Sequence, residues 1–99
     1  MPIFKTARYQ VRPESVEKCK EAVRTFVEHI KANEPGTLRY TAMQQPDDPT
    51  RFLHFMIFED KAAEDKHGNS EAVRRFTDVL YPETLAPVEF NDYTIVASN

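Results

Sequence analysis

The segment at residues 51–59 constrains the fold of this chain more than any other part of the sequence. Read as an extended strand, it is apolar on both faces: Phe52, Met56 and Phe58 on one, Leu53, Phe55 and Ile57 on the other. A strand of this kind is covered on both sides, so we predict that it lies in the middle of a sheet. Helices of this chain can supply one cover. We expect a second protein chain to supply the other.

The remaining chain divides into strands and helices by its apolar periodicity. Strands are predicted at residues 3–12, 37–45 and 88–97, in addition to 51–59. Long helices are predicted at residues 16–33 and 71–81, with a short helical turn at 61–67. We expect Ser15 to act as the N-cap of the first helix. Leu38, Tyr40 and Ala42 are expected to share one face of the second strand.

The resulting order of elements is β-α-β-β-α-β, which is typical of an α+β, ferredoxin-like antiparallel sheet. In that arrangement both crossover helices pack on one face of the sheet, and the other face stays open. The length of 99 residues suits one domain covering residues 1–99. The open face and the doubly apolar strand together predict a homodimer.

Composition and charge argue against several classes of function. The net charge is -3, and basic residues form no cluster of the kind that binds nucleic acid. No stretch approaches the roughly 20 apolar residues of a membrane helix. The single cysteine, Cys19, cannot form an intrachain disulfide. We therefore expect a cytoplasmic protein that binds neither nucleic acid nor a membrane.

The sequence offers no motif for a metal or an organic cofactor. The three histidines lack the short spacings that ligand sets show, so no metal site is expected. The chain has only two glycines, Gly36 and Gly68, which is too few for a glycine-rich phosphate loop. Any reaction carried out by this chain is therefore expected to proceed without cofactors.

Several short motifs resemble those of a known family in the order in which they occur. They are Val11-Arg12-Pro13, the run Asn33-Glu34-Pro35-Gly36-Thr37-Leu38-Arg39-Tyr40, the turn Asp48-Pro49-Thr50-Arg51-Phe52, and the segments Phe58-Glu59-Asp60, Ala62-Ala63 and His67-Gly68-Asn69-Ser70. Together they cover nearly the whole chain. The sequence resembles the antibiotic biosynthesis monooxygenase family of dimeric α/β barrels.

The resemblance implies a homodimer whose two sheets form a barrel, with a pocket between sheet and helices in each protomer. Several members of that family oxygenate phenols or quinols without metal or flavin, and a separate branch degrades haem. The haem-degrading branch carries an Asn where Ala7 stands here and a His in the last helix, whereas this chain has no His after His67. The family often has Trp at the position of Phe58 and Glu at the position of Met56.

His67 and His54 are the candidate functional histidines. His67 matches the family's His before the second long helix, and an imidazole there could accept a phenolic proton. The alternative is a structural His at a helix C-terminus, outside the apolar core. His54 could line the pocket, or it could be a core His that is hydrogen-bonded to a neighbour. The other candidate substrate-binding residues are Phe58, Met56, Phe52, Tyr9 and Phe76.

Two functions fit these features. The first is a cofactor-independent monooxygenase that acts on a small aromatic phenol or quinol with O2, with His67 as the general base. The second is a non-catalytic dimer of the same fold that binds a small molecule or is associated with stress. The sequence itself leaves both open.

Overall fold

A computed structural model describes all residues from Met1 to Asn99. Its strands are β1 (Ile3–Gln10), β2 (Thr37–Gln44), β3 (Arg51–Phe58) and β4 (Glu89–Tyr93). Its α-helices are α1 (Val16–Asn33), α2 (Lys61–Gly68) and α3 (Glu71–Leu80), and short 3-10 turns lie at Pro13–Ser15 and Tyr81–Glu83. None of the helices combines the length and the apolar character that crossing a membrane requires.

The four strands form one antiparallel sheet in the order β2-β3-β1-β4. This order confirms the predicted ferredoxin-like α+β fold, with the connections through the helices placing β1 between β3 and β4. Strand β3 is central, as its doubly apolar sequence predicts. It pairs with β1 on one side and with β2 on the other.

Alternate side chains of β3 point to opposite faces, and the two faces differ in burial. The side chains that point toward the helices, Phe52, His54, Met56 and Phe58, are all buried. Phe52 packs in one core cluster with Phe26, Phe76 and Leu80 of α1 and α3, and Met56 and Phe58 pack with Ala7 of β1 in a second cluster. The side chains on the other face, Leu53, Phe55 and Ile57, are only half-buried. We call this second side of the sheet the open face.

Two predicted details of the strands are wrong. Leu38 does not share a face with Tyr40, because a β-bulge lies between Thr37 and Arg39 and leaves Leu38 exposed. The last strand ends at Tyr93 instead of residue 97. Tyr93 pairs with Phe4, close to the beginning of β1, so the residues that follow have little neighbouring strand left to pair with.

The predicted capping role of Ser15 is also wrong. Ser15 occupies the N-cap position of α1, but its side chain caps no backbone N–H and donates a 2.6 Å hydrogen bond to Glu83 instead. The Glu83 carboxylate also accepts from Arg12 at 3.0 Å and from Lys18 at 2.9 Å. These donors, led by Ser15, lower the pKa of Glu83 to about 2. Glu83 thereby ties the loop after α3 to the start of α1.

Gly36 allows α2 to lie directly against the turn between α1 and β2. A Cβ atom at position 36 would come within 2.7 Å of the Cβ of Ala63 in α2. The same turn is fixed to the end of β3, because the Glu59 N–H donates to the Gly36 carbonyl at 2.8 Å. Gly36 is needed here for close approach, since no glycine in the chain has a positive φ.

We expect Gly36→Ala to lower the free energy of unfolding by about 1–3 kcal/mol, because the added methyl group overlaps Ala63. Gly68→Ala is the matched control, since a Cβ there meets no atom within 4 Å. The control should leave stability unchanged or raise it slightly, as Ala replaces Gly in a helix. Urea unfolding of the two variants measures the difference. Equal stability of both would contradict the close approach of α2.

Candidate functional site

A cavity of about 280 Å³ lies between the sheet and the helices. This size is at the lower end of typical ligand pockets, roughly 300–1,000 Å³, and suits a ligand of one or two aromatic rings. Most of the wall is apolar, and Phe26, Phe90, Val73, Val88 and Leu80 contribute to it. The polar residues in the wall include two histidines, three tyrosines and a Lys–Glu pair.

The structure brings most of the predicted site residues to this one cavity. Those that line it are His67, His54, Phe58, Met56, Tyr9 and Phe76. Phe52 does not line it, contrary to the expectation from sequence. Its ring stacks against Tyr9 with the centroids 5.3 Å apart, and it belongs to the core cluster. Phe52 therefore supports Tyr9 without contacting the cavity.

His54 forms the centre of a hydrogen-bonded chain of three side chains. Its Nε2 lies 2.7 Å from the Tyr9 hydroxyl, and its Nδ1 lies 2.7 Å from the Tyr40 hydroxyl. The imidazole is only 1% exposed, yet both of its nitrogens have a partner. Burial lowers the pKa of His54 to about 4, and it raises the pKa of the Tyr9 and Tyr40 phenols. All three groups are therefore neutral near pH 7.

Small residues on the neighbouring strands leave space for the hydrogen-bonded Tyr9–His54–Tyr40 chain. On the two strands beside β3, His54 is paired with Ala7 of β1 and Ala42 of β2. Tyr9 and Tyr40 are each displaced by two positions from these alanines, in opposite directions along the sheet. Their rings reach the imidazole from the two sides, in edge contacts with centroids 5.2 and 5.4 Å from it. A large side chain at position 7 or 42 would occupy this space.

His67 is held from the side by Glu34, which follows α1 in the turn before β2. The Nδ1 atom of His67 lies 2.9 Å from Oε1 of Glu34. A carboxylate can only accept, so Nδ1 carries the proton, and in the neutral imidazole Nε2 keeps its lone pair. Glu34 is 5% exposed and does not line the cavity. The nitrogen left for the cavity is therefore Nε2.

The expectation that His67 lies outside the core is wrong. Its side chain is 12% exposed, and its ring packs among Phe26, Tyr40 and Phe58 at centroid distances of 5.1–5.6 Å. His67 lies in the last turn of helix α2. The start of this helix is fixed by the Asp60 side chain, which accepts a hydrogen bond from the Ala63 N–H. His67 is thus both a cavity residue and a packing residue.

Sequence reasoning does not assign site roles to Glu34, Lys5 and Glu64. The sequence presents Glu34 only as part of a turn, although an acidic residue beside a Pro-Gly turn is a signal that could be weighed. Lys5 and Glu64 both line the cavity and form an ion pair of 2.8 Å, and Lys5 also contacts Asp92 at 3.2 Å. The hydrogen bond between Lys5 and Glu64 raises the pKa of Lys5 and lowers that of Glu64. Lys5 and Glu64 therefore form part of the cavity wall, and their opposite charges balance each other.

Groups of His, Cys, Asp and Glu that could hold a metal ion are absent from the structure. His54 and His67 do not act as a pair of metal ligands here. Both nitrogens of His54 are engaged by tyrosines, and Nδ1 of His67 is engaged by Glu34. The arrangement is instead one that can exchange protons and hydrogen bonds with a ligand.

Comparison with known proteins places this fold in a family. The family model described as antibiotic biosynthesis monooxygenase matches residues 2–79. The chain belongs to the antibiotic biosynthesis monooxygenase family. An uncharacterized protein of Synechocystis sp. is 28% identical over 95 residues, which make up 95% of this chain and 63% of that protein. The chain thus spans less than two thirds of the length of that curated relative.

Solved structures of other proteins have the same fold. A proposed antibiotic biosynthesis monooxygenase from Nitrosomonas europaea superposes with a TM-score of 0.88 at 23% identity, covering 96% of this chain and 90% of that one. A conserved protein from Methanosarcina mazei Go1 gives a TM-score of 0.86 at 22% identity, covering 94% of this chain and 91% of that one. At such low identity these similarities show the fold alone.

We expect the free energy of unfolding to fall as the pH is lowered from about 6.5 to about 4. In this window the unfolded imidazole of His54 binds a proton and the buried one does not, so acid favours the unfolded state. Over the whole interval from pH 6.5 to pH 4, the free energy of unfolding should fall by about 3 kcal/mol. Urea unfolding at a series of pH values measures the slope. His54→Gln keeps a donor and an acceptor but does not titrate, so its slope should be smaller. An unchanged slope would rule out His54 as the cause.

Proposed function

We propose that this protein is a cofactor-independent monooxygenase that acts on a small aromatic phenol or quinol with O2. The observation that carries the proposal is the His67–Glu34 pair beside an apolar cavity. A hydrogen-bonded carboxylate orients the imidazole and leaves Nε2 as a proton acceptor. Family membership supports a reaction with O2, and the aromatic wall supports an aromatic substrate.

The proposed reaction begins with proton transfer from a substrate hydroxyl to Nε2 of His67. The resulting phenolate is electron-rich and can reduce O2 itself, so the substrate supplies the electrons. One oxygen atom enters the substrate and the other leaves as water. The Glu34 carboxylate stabilises the imidazolium formed in the first step. A hydroxyl of Tyr9 or Tyr40 can donate to the developing negative charge on the substrate.

The apolar wall has a chemical role in this proposal. It excludes water from the phenolate, and a hydrogen bond or charge acts more strongly there than in bulk water. The only fully charged groups in the wall, Lys5 and Glu64, neutralise each other. The cavity therefore fits a neutral substrate that becomes anionic only after His67 has taken its proton.

The alternative function is a non-catalytic dimer that binds a small molecule in the same cavity. The cavity and its hydrogen-bonding groups fit that function as well. The two functions differ in the role of His67, which transfers a proton in the first and is only part of the wall in the second. Oxygen uptake with a panel of quinols in metal-free buffer separates them.

We expect His67→Ala to reduce the rate of quinol-dependent oxygen uptake by about 10²–10⁴-fold, the range for loss of a general base. Glu34→Gln should lower kcat by up to about 10²-fold by disturbing the position and tautomer of the imidazole, with little change in KM. His29→Ala is the matched control, since this histidine of α1 bonds only to Asn33. The control should keep full activity.

The thermal midpoints of these variants must be measured together with the rates. His67→Ala leaves the buried Glu34 carboxylate without its imidazole partner, so a loss of about 1–3 kcal/mol in stability is expected. Full activity of folded His67→Ala in an active enzyme would refute the assignment of the base. No uptake by the unaltered protein with any quinol would favour the binding function.

We also propose that two copies of this single domain associate through their open faces. The apolar side chains Leu53, Phe55 and Ile57 are half-buried in one chain, and Met43 and Tyr93 beside them are exposed. A second copy packed on this face would cover these groups and form the barrel of the family.

Light scattering at micromolar concentration should therefore give the mass of a dimer. Phe55→Glu should produce a monomer, because it places a charge in the middle of the open face. Arg24→Glu on the exposed side of α1 introduces the same residue away from that face and should remain dimeric. A monomeric unaltered protein, or a dimeric Phe55→Glu variant, would contradict this interface.

A further inference from the structure

The two hydrogen bonds of His54 determine which of its partners donates a proton and which accepts one. A neutral imidazole has one N–H donor and one bare nitrogen acceptor. Tyr9 and Tyr40 each place a hydroxyl 2.7 Å from one of these nitrogens. His54 must therefore donate to one tyrosine and accept from the other. The count is the same for either tautomer, since a hydroxyl can take both roles.

The two tyrosines are consequently unequal. The tyrosine that donates to His54 has used its only proton, so it can offer a ligand nothing but lone pairs. The other tyrosine accepts from His54 and still has its own O–H to donate. Neither hydroxyl makes a second hydrogen bond with the protein. Both residues line the cavity, so the available donor and the available acceptor belong to side chains of its wall.

We infer that the Tyr9–His54–Tyr40 chain presents one hydroxyl donor and one hydroxyl acceptor to the cavity, and thereby selects aromatic ligands that carry a second O–H group in addition to the hydroxyl that donates to His67. This inference rests on the proposed function, and it names the ligand chemistry of the same site. A quinol donates one O–H to Nε2 of His67 and the other to the tyrosine that offers lone pairs, and its oxygens can accept from the other tyrosine. A monoether of the quinol lacks the second O–H and leaves that tyrosine without a donor. A diether or a quinone without a hydroxyl group has two acceptors and leaves one of them facing a lone pair.

The contrast with His67 shows why His54 has this role. The partner of His67 is a carboxylate, which fixes the proton on Nδ1 and leaves a base. The partners of His54 are two phenols in an apolar environment, and burial holds all three groups neutral. His54 therefore makes one tyrosine a hydrogen-bond donor to the ligand and the other an acceptor. In this inference it is a specificity-determining residue.

The test compares 1,4-dihydroxynaphthalene with 4-methoxy-1-naphthol by isothermal titration calorimetry in the absence of O2, so that both probes keep one O–H for His67. These probes differ only in the change of one O–H to O–CH3. The diol should bind the unaltered protein about tenfold more tightly, the effect of one lost hydrogen bond that leaves a buried group unpaired. In His54→Leu both tyrosine protons become available, so the affinities should agree within about twofold.

His29→Leu is the matched control, because it makes the same substitution at a histidine of α1 that does not line the cavity and bonds only to Asn33. It should keep the tenfold preference. Equal affinities in the unaltered protein would overturn the inference, and so would an undiminished preference in His54→Leu. If His54→Leu does not fold, ¹⁵N NMR of the unaltered protein decides the question. One protonated and one bare nitrogen on His54 at pH 7 support the inference, and two protonated nitrogens overturn it.

The outcome is separable from that of the proposed function, because the binding experiment involves no turnover. A protein that shows the preference but consumes no O2 with any quinol would retain this inference and lose the monooxygenase proposal. A protein that consumes O2 but binds both probes equally would lose this inference and keep the proposal.

Discussion

The hydrogen bonding of one buried imidazole determines much of this structure. His54 lies in the central strand, where an unpaired polar group would be costly, and it is satisfied only by Tyr9 and Tyr40. Both tyrosines reach it because alanines stand opposite His54 on the neighbouring strands. A shift of one residue in either strand would turn its tyrosine to the open face and leave one nitrogen of His54 unpaired. The polar chain and the register of the sheet therefore depend on each other.

The cavity contains two histidines that the protein treats in opposite ways. His54 is surrounded by neutral partners and is held uncharged by burial. His67 is paired with a carboxylate that can stabilise a positive charge. This difference gives one imidazole the chemistry of a base and the other that of a neutral hydrogen-bonding group. Their separation by an aromatic ring, Tyr40, places both functions in one small apolar space.

The fold could be predicted from the sequence because its periodicity is regular and β3 is apolar on both faces. The bulge at Leu38 could not be predicted, since an alternating pattern does not reveal one extra residue. The site was predicted in part: His54 and His67 stood out as polar residues in apolar or motif surroundings. Glu34 was missed because it lies 33 residues from His67 and meets it only when α2 packs on Gly36. Phe52 was wrongly predicted to line the cavity, because residues on one face of a strand need not all reach the cavity.

The anchoring of Glu83 bears on the route by which a ligand reaches the cavity. Leu80 and Tyr81 of the cavity wall lie three and two residues before Glu83, and the three hydrogen bonds of Glu83 hold the loop after α3 against the start of α1. Opening the cavity on that side would require breaking several charged contacts together. Phe90, another residue of the wall, lies on β4, an edge strand whose five residues are all exposed and which pairs only with β1. We therefore expect small molecules to enter beside β4 rather than through the loop after α3.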